Sequence, residues 1–446
     1  MENFVKFIFI GFTFSISIVT DCTATDFYVD PSVTSTAGDR RGDGSEANPW
    51  RTLEEVVKKG LIETKDVNGN VINAGAPIKS GDTIILKSGY HGHVQIKNAY
   101  NNDYITVIAG IGQTPQLSEL EIISARKWKF SKLTISPVFS NGIIRTSAIV
   151  NLGDINYLGG NSLLELTDSY IYSFNENSEN LTAEEWKAKA KTGILMGRNA
   201  TDVHIKNNHI SKVDFGINIF SANSSAEGNI VTDFSMDGIR VIANNNNIKN
   251  NIIKNNYVIN ENHSDGIQGF STSKNELSDI SIIGNIILNR DKKEYYYSKG
   301  MQGIGFFDGP MKNIIVENNI IMSFTWQGIA LYDASQSNVI GNIVFTPQKI
   351  QDAASRITLG SKNKGGNFDA YYASNFANKY VFESYNNLIK ENNKLIRGDQ
   401  ESENFFMDSL IKRLDDINLE YEKYHPVSHE PRVDERFINI GSSSIF

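Results

Sequence analysis

Six segments between Lys191 and Tyr332 read alike, each built round a Gly-Ile pair. They are Lys191–Gly197, Asp214–Phe220, Met236–Ile242, Ser264–Phe270, Met301–Phe307 and Trp326–Tyr332. A second echo falls between them: Asn207–Ile210, Gly228–Val231, Asn255–Val258, Gly284–Ile287, Asn318–Ile321 and Gly341–Val344. The two alternate with a period of roughly 22 to 37 residues, close to that of solenoid repeats. Each unit reads as two short β runs and a turn. A lone rung cannot bury its apolar face, so rungs must stack, about 4.8 Å apart. Heptads and long apolar helices are absent from the stretch, and the pattern reads as a right-handed parallel β-helix.

Alternation along a strand assigns the faces. Ile194, Ile217, Ile239, Ile267, Ile304 and Ile329 form one inward aliphatic column, and the residues after them point out: Leu195, Asn218, Arg240, Gln268, Gly305 and Ala330. The Asn of the second echo sits at a corner. Asn tolerates left-handed backbone and bonds local amides, and stacked Asn side chains can form a ladder along the axis. The glycines are read as relieving corner strain.

The ends differ from this core. Residues 1–24 read as a secretory signal peptide: Lys6, an apolar run from Phe7 to Val19 too short to span a membrane comfortably, and small residues for cleavage after Ala24. A signal anchor is the alternative reading of the run. Cys22 has no lipobox around it, and it is the single cysteine, so the cleaved chain contains none and disulfides play no part. Leu53–Lys59 reads as a short amphipathic helix with Thr52 as N-cap, a plug for the open end of the solenoid. Asn180–Ala190 reads as a helical insertion between rungs. After Pro347 the pattern changes, with Tyr371–Asn392 as mixed helix and loop and Phe405–Tyr424 as an amphipathic helix. The expected organisation is therefore an all-β chain: signal peptide, one solenoid with a helical N-terminal cap over 25–349, and a partly helical C-terminal cap over 350–446. A formal charge of −8 over 446 residues argues against nucleic acid as partner, though not against an acidic polysaccharide met by a local basic patch.

The opening Phe27–Pro31, then Asn48–Thr52, Gly81–Ile84 and Ser88–Tyr90 resemble the N-terminal rungs of the pectate-lyase-like superfamily, the secreted polysaccharide lyases built on parallel β-helices. The resemblance covers residues 26 to about 346 and implies a secreted or periplasmic protein with a polysaccharide substrate. It also implies where chemistry sits. Met236–Ile239 and Ser264–Ile267 look like the Asp-Gly rungs that carry the active site of calcium-dependent members, which makes Ca2+ a candidate cofactor held by Asp237 and Asp265. Gln268 departs from that pattern, standing where a further acidic ligand would be useful.

The residues themselves point to the same place. The position before each glycine forms a column, Thr192, Phe215, Asp237, Asp265, Gln302 and Gln327, which reaches solvent only if the glycine marks a bend. Neighbouring rungs hold Asp237 and Asp265 about 5 Å apart at Cα. Two carboxylates that close repel, which raises one pKa unless a cation lies between them. The candidate catalytic set is Asp237, Arg240, His263, Asp265 and Lys299, with Asp214, Asn218, Gln268, Gln302, Trp326 and Gln327 as substrate-binding candidates and Asp308 and Asp333 in a second tier. Trp326 and Tyr295–Tyr297 offer faces for sugar rings or for packing. His91 and His93 read as structural or surface residues of an early strand.

Two reactions fit this set. In β-elimination a cation or amide neutralises a uronate carboxylate, a base such as Arg240, His263 or Lys299 takes the C5 proton, and a second group protonates the leaving oxygen. In hydrolysis Asp237 and Asp265 act as paired carboxylates. The leading expectation is a polysaccharide lyase, with a glycoside hydrolase second and a non-catalytic carbohydrate-binding surface protein third. A C5 epimerase shares the proton abstraction, but the Asp-Pro-His motif of that family is missing. The sequence leaves the sugar and the oligomeric state open.

Overall fold

The computed structural model describes residues 24–33, 42–140, 147–259, 263–271, 276–290, 300–347, 354–362, 369–383, 387–397 and 399–424. The expected signal peptide, Lys299 and Tyr295–Tyr297 lie outside them. Each coil contains three strands rather than the two read from the repeats. In one coil these are Thr192–Met196, Thr201–Lys206 and His209–Val213. Each pairs in parallel with its equivalent one coil on, at Ile217–Ile219, Ser225–Glu227 and Ile230–Phe234. The middle strand lacks the Gly-Ile signature, which is why the repeat pattern passes over it. The first two faces join into one 25-stranded sheet, and the third forms a separate 12-stranded sheet. Near the N-terminus His93–Ala109 and Glu119–Ser131 turn the corner between those two faces as single bent strands.

The isoleucine column exists in register. Ile194 pairs with Ile217, then Ile239, Ile267, Ile304, Ile329 and finally Ile357. All are fully buried. Each such burial is worth about 1.5–3 kcal/mol, so the column is a main source of stability.

The corner chemistry divides between two adjacent residues. Asn207, Gly228, Asn250, Gly284, Asn318 and Gly341 take the left-handed conformation, with φ between 54° and 67°. The Asn that follows each is buried and forms the ladder. Asn208, Asn229, Asn251, Asn285, Asn319, Asn342, Asn375 and Asn393 stack, and each side-chain oxygen accepts from the amide of the preceding Asn in the stack, as when Asn285 Oδ1 accepts from Asn251 N and Nδ2, both at 3.0 Å. The coil assigned by sequence to Asn255–Val258 takes its corner from Asn250–Ile253 instead. An asparagine-rich run, Asn244 to Asn256, offers both frames, and only the register of Ile252 with Ile230 and Ile286 separates them.

The repeat glycines serve close approach rather than corner strain. A Cβ on Gly238 would lie 2.7 Å from the carbonyl oxygen of Gly266 in the next coil, and it would also strike a methyl of Ile253. A side chain there would push the coils apart.

Helix α1, Leu53–Lys58, plugs the N-terminal end. Thr52 caps it by accepting from Glu55 N at 3.1 Å, and Leu53 and Val56 are fully buried. Helix α2, Ala183–Lys189, is the expected insertion, with a capping box between Thr182 and Glu185. At the other end the coil runs past residue 349. Arg356–Gly360, Asp369–Ala373, Phe376–Ala377, Lys379–Phe382, Asn387–Glu391 and Lys394–Leu395 are further parallel strands, not mixed helix and loop. Helix α3, Gln400–Tyr424, does not stop the last coil but lies along the third face. Its Phe406, Leu410, Leu414 and Ile417 cover Ile252, Ile286, Met322 and Phe345. Arg413 Nε donates to Gly284 O at 2.9 Å and fastens the helix to a corner. No helix among the described residues is long and apolar enough to cross a membrane.

Candidate functional site

A Cβ on Gly238 or Gly266 would point inward at Ile253 or Ile287, on the same side as the isoleucine that follows, so the alternation breaks at these glycines and the preceding Asp turns outward. Asp237 therefore lies on the outer side of the first face, beneath the residue three positions on. Arg240 contacts one oxygen of Asp237 twice, through Nε at 2.8 Å and Nη2 at 2.6 Å. The next coil repeats the geometry with an amide: Gln268 Nε2 donates to Asp265 Oδ2 at 2.9 Å. The backbone N–H of Asp265 donates to Asp237 Oδ1 at 3.1 Å, which links the two coils. Asp237, Asp265, Arg240 and Gln268 thus meet on one side of the first face, the condition for the acids to turn outward being met at the glycines.

Their exposure differs from the expectation. Asp237 is 2% and Asp265 0% exposed, roofed by the heads of Arg240 and Gln268. As directly substrate-touching carboxylates this corrects the sequence reading: the longer side chains, three residues on, reach over the short ones. Arg240 is the more exposed partner, half-buried, with its guanidinium 4.4 Å from the Phe215 ring and 5.6 Å from that of Phe270. Burial pushes the Asp237 carboxyl up, opposed by Arg240. Burial pushes Asp265 further, to well above the ordinary carboxylate range, and the neighbouring Asp237 adds to the rise. Asp265 Oδ1 has no hydrogen-bond partner among the described residues, and it sits 2.5 Å from where a Cβ on Gly305 would be. The missing side chain at Gly305 thus leaves room for this oxygen.

The pair does not fit calcium. That ion takes six to eight oxygens. Here Asp237 already faces a guanidinium, and the next residues in line, Gln268 and Gln302, are amides. Among the described residues the one cluster with metal-ligand chemistry lies elsewhere on the same outward face, in the first coils. His93, Glu119 and Glu121 offer ligand atoms all within 4.8 Å of one another, with His93 Nε2 2.7 Å from Glu121 Oε1 and Nδ1 3.6 Å from Glu119 Oε2. Glu121 pairs with Asn151, and the register then runs through Leu195 and Asn218 to Arg240. Sequence reading set His93 aside as a strand residue. The signal was the Glu-Leu-Glu alternation at 119–121, which puts two acids on one face of the strand.

The remaining candidates separate. Asn218 is 6% exposed, and its Oδ1 has no partner among the described residues; the same holds for Gln302 Oε1. Gln327 Oε1 accepts from Thr358 Oγ1 at 3.4 Å. Trp326 stands 61% exposed. His263 is exposed, two residues before Asp265. Asp214 is half-buried and bonds its neighbour, Phe215 N, at 2.6 Å, with burial raising its pKa. Asp308 reaches Lys362 at 2.8 Å, and Asp333 accepts from Ser361 Oγ and Lys362 N, so both hold a loop. His91 is fully buried, and desolvation pushes its pKa down.

Parallel coil and asparagine ladder define the class: this is a right-handed parallel β-helix protein. The family model described as "Right handed beta helix region" matches residues 192–378. Solved structures similar in fold include the A-module of the Azotobacter vinelandii mannuronan C-5 epimerase AlgE6, at 11% identity and TM-score 0.44, covering 70% of this chain and 90% of that one. A tailspike protein mutant of E. coli bacteriophage HK620 in complex with pentasaccharide follows at 11% and 0.46, covering 80% and 70%. A rhamnogalacturonan lyase is similar at 10% and 0.41, covering 83% and 88%. No curated protein matches the sequence.

Proposed function

We propose that the chain is an extracytoplasmic polysaccharide lyase that cleaves a uronate-containing polysaccharide by β-elimination. The observation that carries this reading is the fixed cation in the trough. Arg240 is held by Asp237 and flanked by the rings of Phe215 and Phe270, so its guanidinium, with the side chain 22% exposed, is fixed in place before a substrate arrives. A preorganised cation of this kind stabilises charge developing on a bound carboxylate. Bound to a uronate carboxylate, it makes the C5 proton more acidic. His263 is the exposed base nearest in sequence and takes that proton. The C5–H electron pair forms the C4–C5 double bond, the C4–O4 bond breaks, and the leaving oxygen takes up a proton. Asp237 and Asp265 act as positioning residues in this scheme: the first orients Arg240, and the second fixes the first through its backbone N–H.

A glycoside hydrolase is the second reading. Asp265, its pKa pushed up by burial and by Asp237, beside an Arg-paired Asp237, follows the direction of the split that paired-carboxylate hydrolysis uses. It requires Arg240 and Gln268 to swing clear of both acids. Incubation of the purified chain with uronate polymers separates the two: unsaturated products support the lyase, and new reducing ends without unsaturation support the hydrolase.

A further inference from the structure

The column containing Asp237 and Asp265 continues beyond the residues read from sequence, and its charge reverses. Asp265 pairs with Gln302, the next coil brings Gln327, Gln327 pairs with Arg356, and Arg356 pairs with Lys379. Going towards the C-terminus the same outward line therefore runs acid, acid, amide, amide, cation, cation. Arg356 occupies the place of the usual glycine frame because a register shift lies between Gln327 and Ile329. Its guanidinium sits 5.8 Å from the ring of Trp326, the most exposed tryptophan of the trough at 61%. Arg356 forms no ion pair among the described residues, and its buried Nε has no hydrogen-bond partner there. A half-buried guanidinium with an unused N–H, beside an exposed aromatic face, is a costly arrangement to hold without a ligand. The same pairing of cation and ring is what an anionic sugar requires: charge-assisted hydrogen bonds for its carboxylate and a flat apolar surface for its ring.

We propose that Arg356 and Trp326 form a uronate subsite, and that the polysaccharide lies along the solenoid axis, with its chain passing from Arg240 over Gln302 and Gln327 to Arg356. Arg356 is four coil steps from Arg240, about 19 Å at roughly 4.8 Å per step, so one oligosaccharide reaches both cations. The intervening amides, Gln302 and Gln327, offer neutral hydrogen bonds to hydroxyls. The subsite rests on the reading of the trough as the place where an acidic polysaccharide binds, and it adds the direction of that chain and the residue that selects for its charge.

Calorimetry with the full chain tests this, using uronate oligosaccharides of increasing length and neutral oligosaccharides of the same lengths. Wild type is expected to gain affinity with length only for the acidic series. Arg356→Ala is expected to lose about tenfold for long acidic oligosaccharides, the loss of one charge-assisted contact, with no change for the shortest. Arg356→Lys should recover part of that, and on a cleaved substrate KM should rise while kcat stays unchanged. A melting temperature matching wild type shows that the variants fold. If Arg356→Ala binds long acidic oligosaccharides as wild type does, or loses acidic and neutral ones equally, the subsite is wrong while the trough stands. If wild type binds no uronate oligosaccharide of any length, the functional reading itself fails and the subsite falls with it.

Discussion

Asp265 donates its backbone N–H to the carboxylate of Asp237 across one coil step, at 3.1 Å, although the two are 28 residues apart in the chain. The bond couples a carboxyl that faces a guanidinium to one that faces an amide. It makes the buried acids a single unit under the trough.

That unit sets a pH dependence of stability. The folded-state pKa of Asp265 is raised by burial and by Asp237, so the folded chain keeps a proton that the unfolded chain releases. The stability it contributes is full below the ordinary carboxylate range and is lost as pH climbs from there through the raised folded value. Asp265→Asn keeps the bond to Gln268 and cannot ionise. Melting curves between pH 4 and pH 8 should show wild type losing stability relative to the variant as pH rises, with the variant roughly 2–4 °C more stable at the upper end. A constant gap across the range would contradict this.

Removing Arg240 should damage both function and fold. Arg240→Ala leaves Asp237 buried without its cation, at a cost of about 3–5 kcal/mol in denaturant unfolding. Replacing both partners, Asp237→Asn with Arg240→Met, should recover most of the stability while turnover stays lost. Recovery of turnover in the double variant would show that the pair is structural.

The ladder makes a separate prediction. Asn285→Ala removes the oxygen that accepts from Asn251 N and Nδ2. Each buried donor left unpaired costs about 1–3 kcal/mol, so unfolding should shift by several kcal/mol with no change in substrate affinity. Asn255→Ala, one turn away in an asparagine-rich sequence but outside the stack, should cost less.

Much of the coil was legible because its signal is local and repeats. Gly-Ile at a fixed offset is forced by stacking, and the register of Ile194 through Ile329 follows from it. The middle strand of each coil was not legible, because strands such as Ser225–Glu227 lack the Gly-Ile signature. The last coils were missed for the same reason: Arg356 replaces the glycine, and Tyr371–Tyr372 gives no repeat signature. At the site, periodicity placed Asp237 and Asp265 on neighbouring rungs close to Arg240 and Gln268, but strict alternation would turn the two acids inward, and only the break at the glycine faces them outward. The roof over the acids was not legible, since it depends on side-chain length at a three-residue offset once the alternation breaks at the glycine. Of the cluster of His93, Glu119 and Glu121, the local Glu-Leu-Glu alternation encodes only the two acids on one face; that His93 joins them depends on pairing between separate strands.

The central claim is that Arg240 faces an acidic sugar at which elimination takes place. The direct measurement is ultraviolet absorbance during digestion of uronate polymers by wild type and by Arg240→Lys, with reducing ends followed in parallel. The account predicts that wild type generates unsaturated products and reducing ends together, and that Arg240→Lys, which keeps the charge but loses the two-point hold on Asp237, is slower by at least about tenfold. Reducing ends without absorbance, or no product from any uronate polymer, would contradict it.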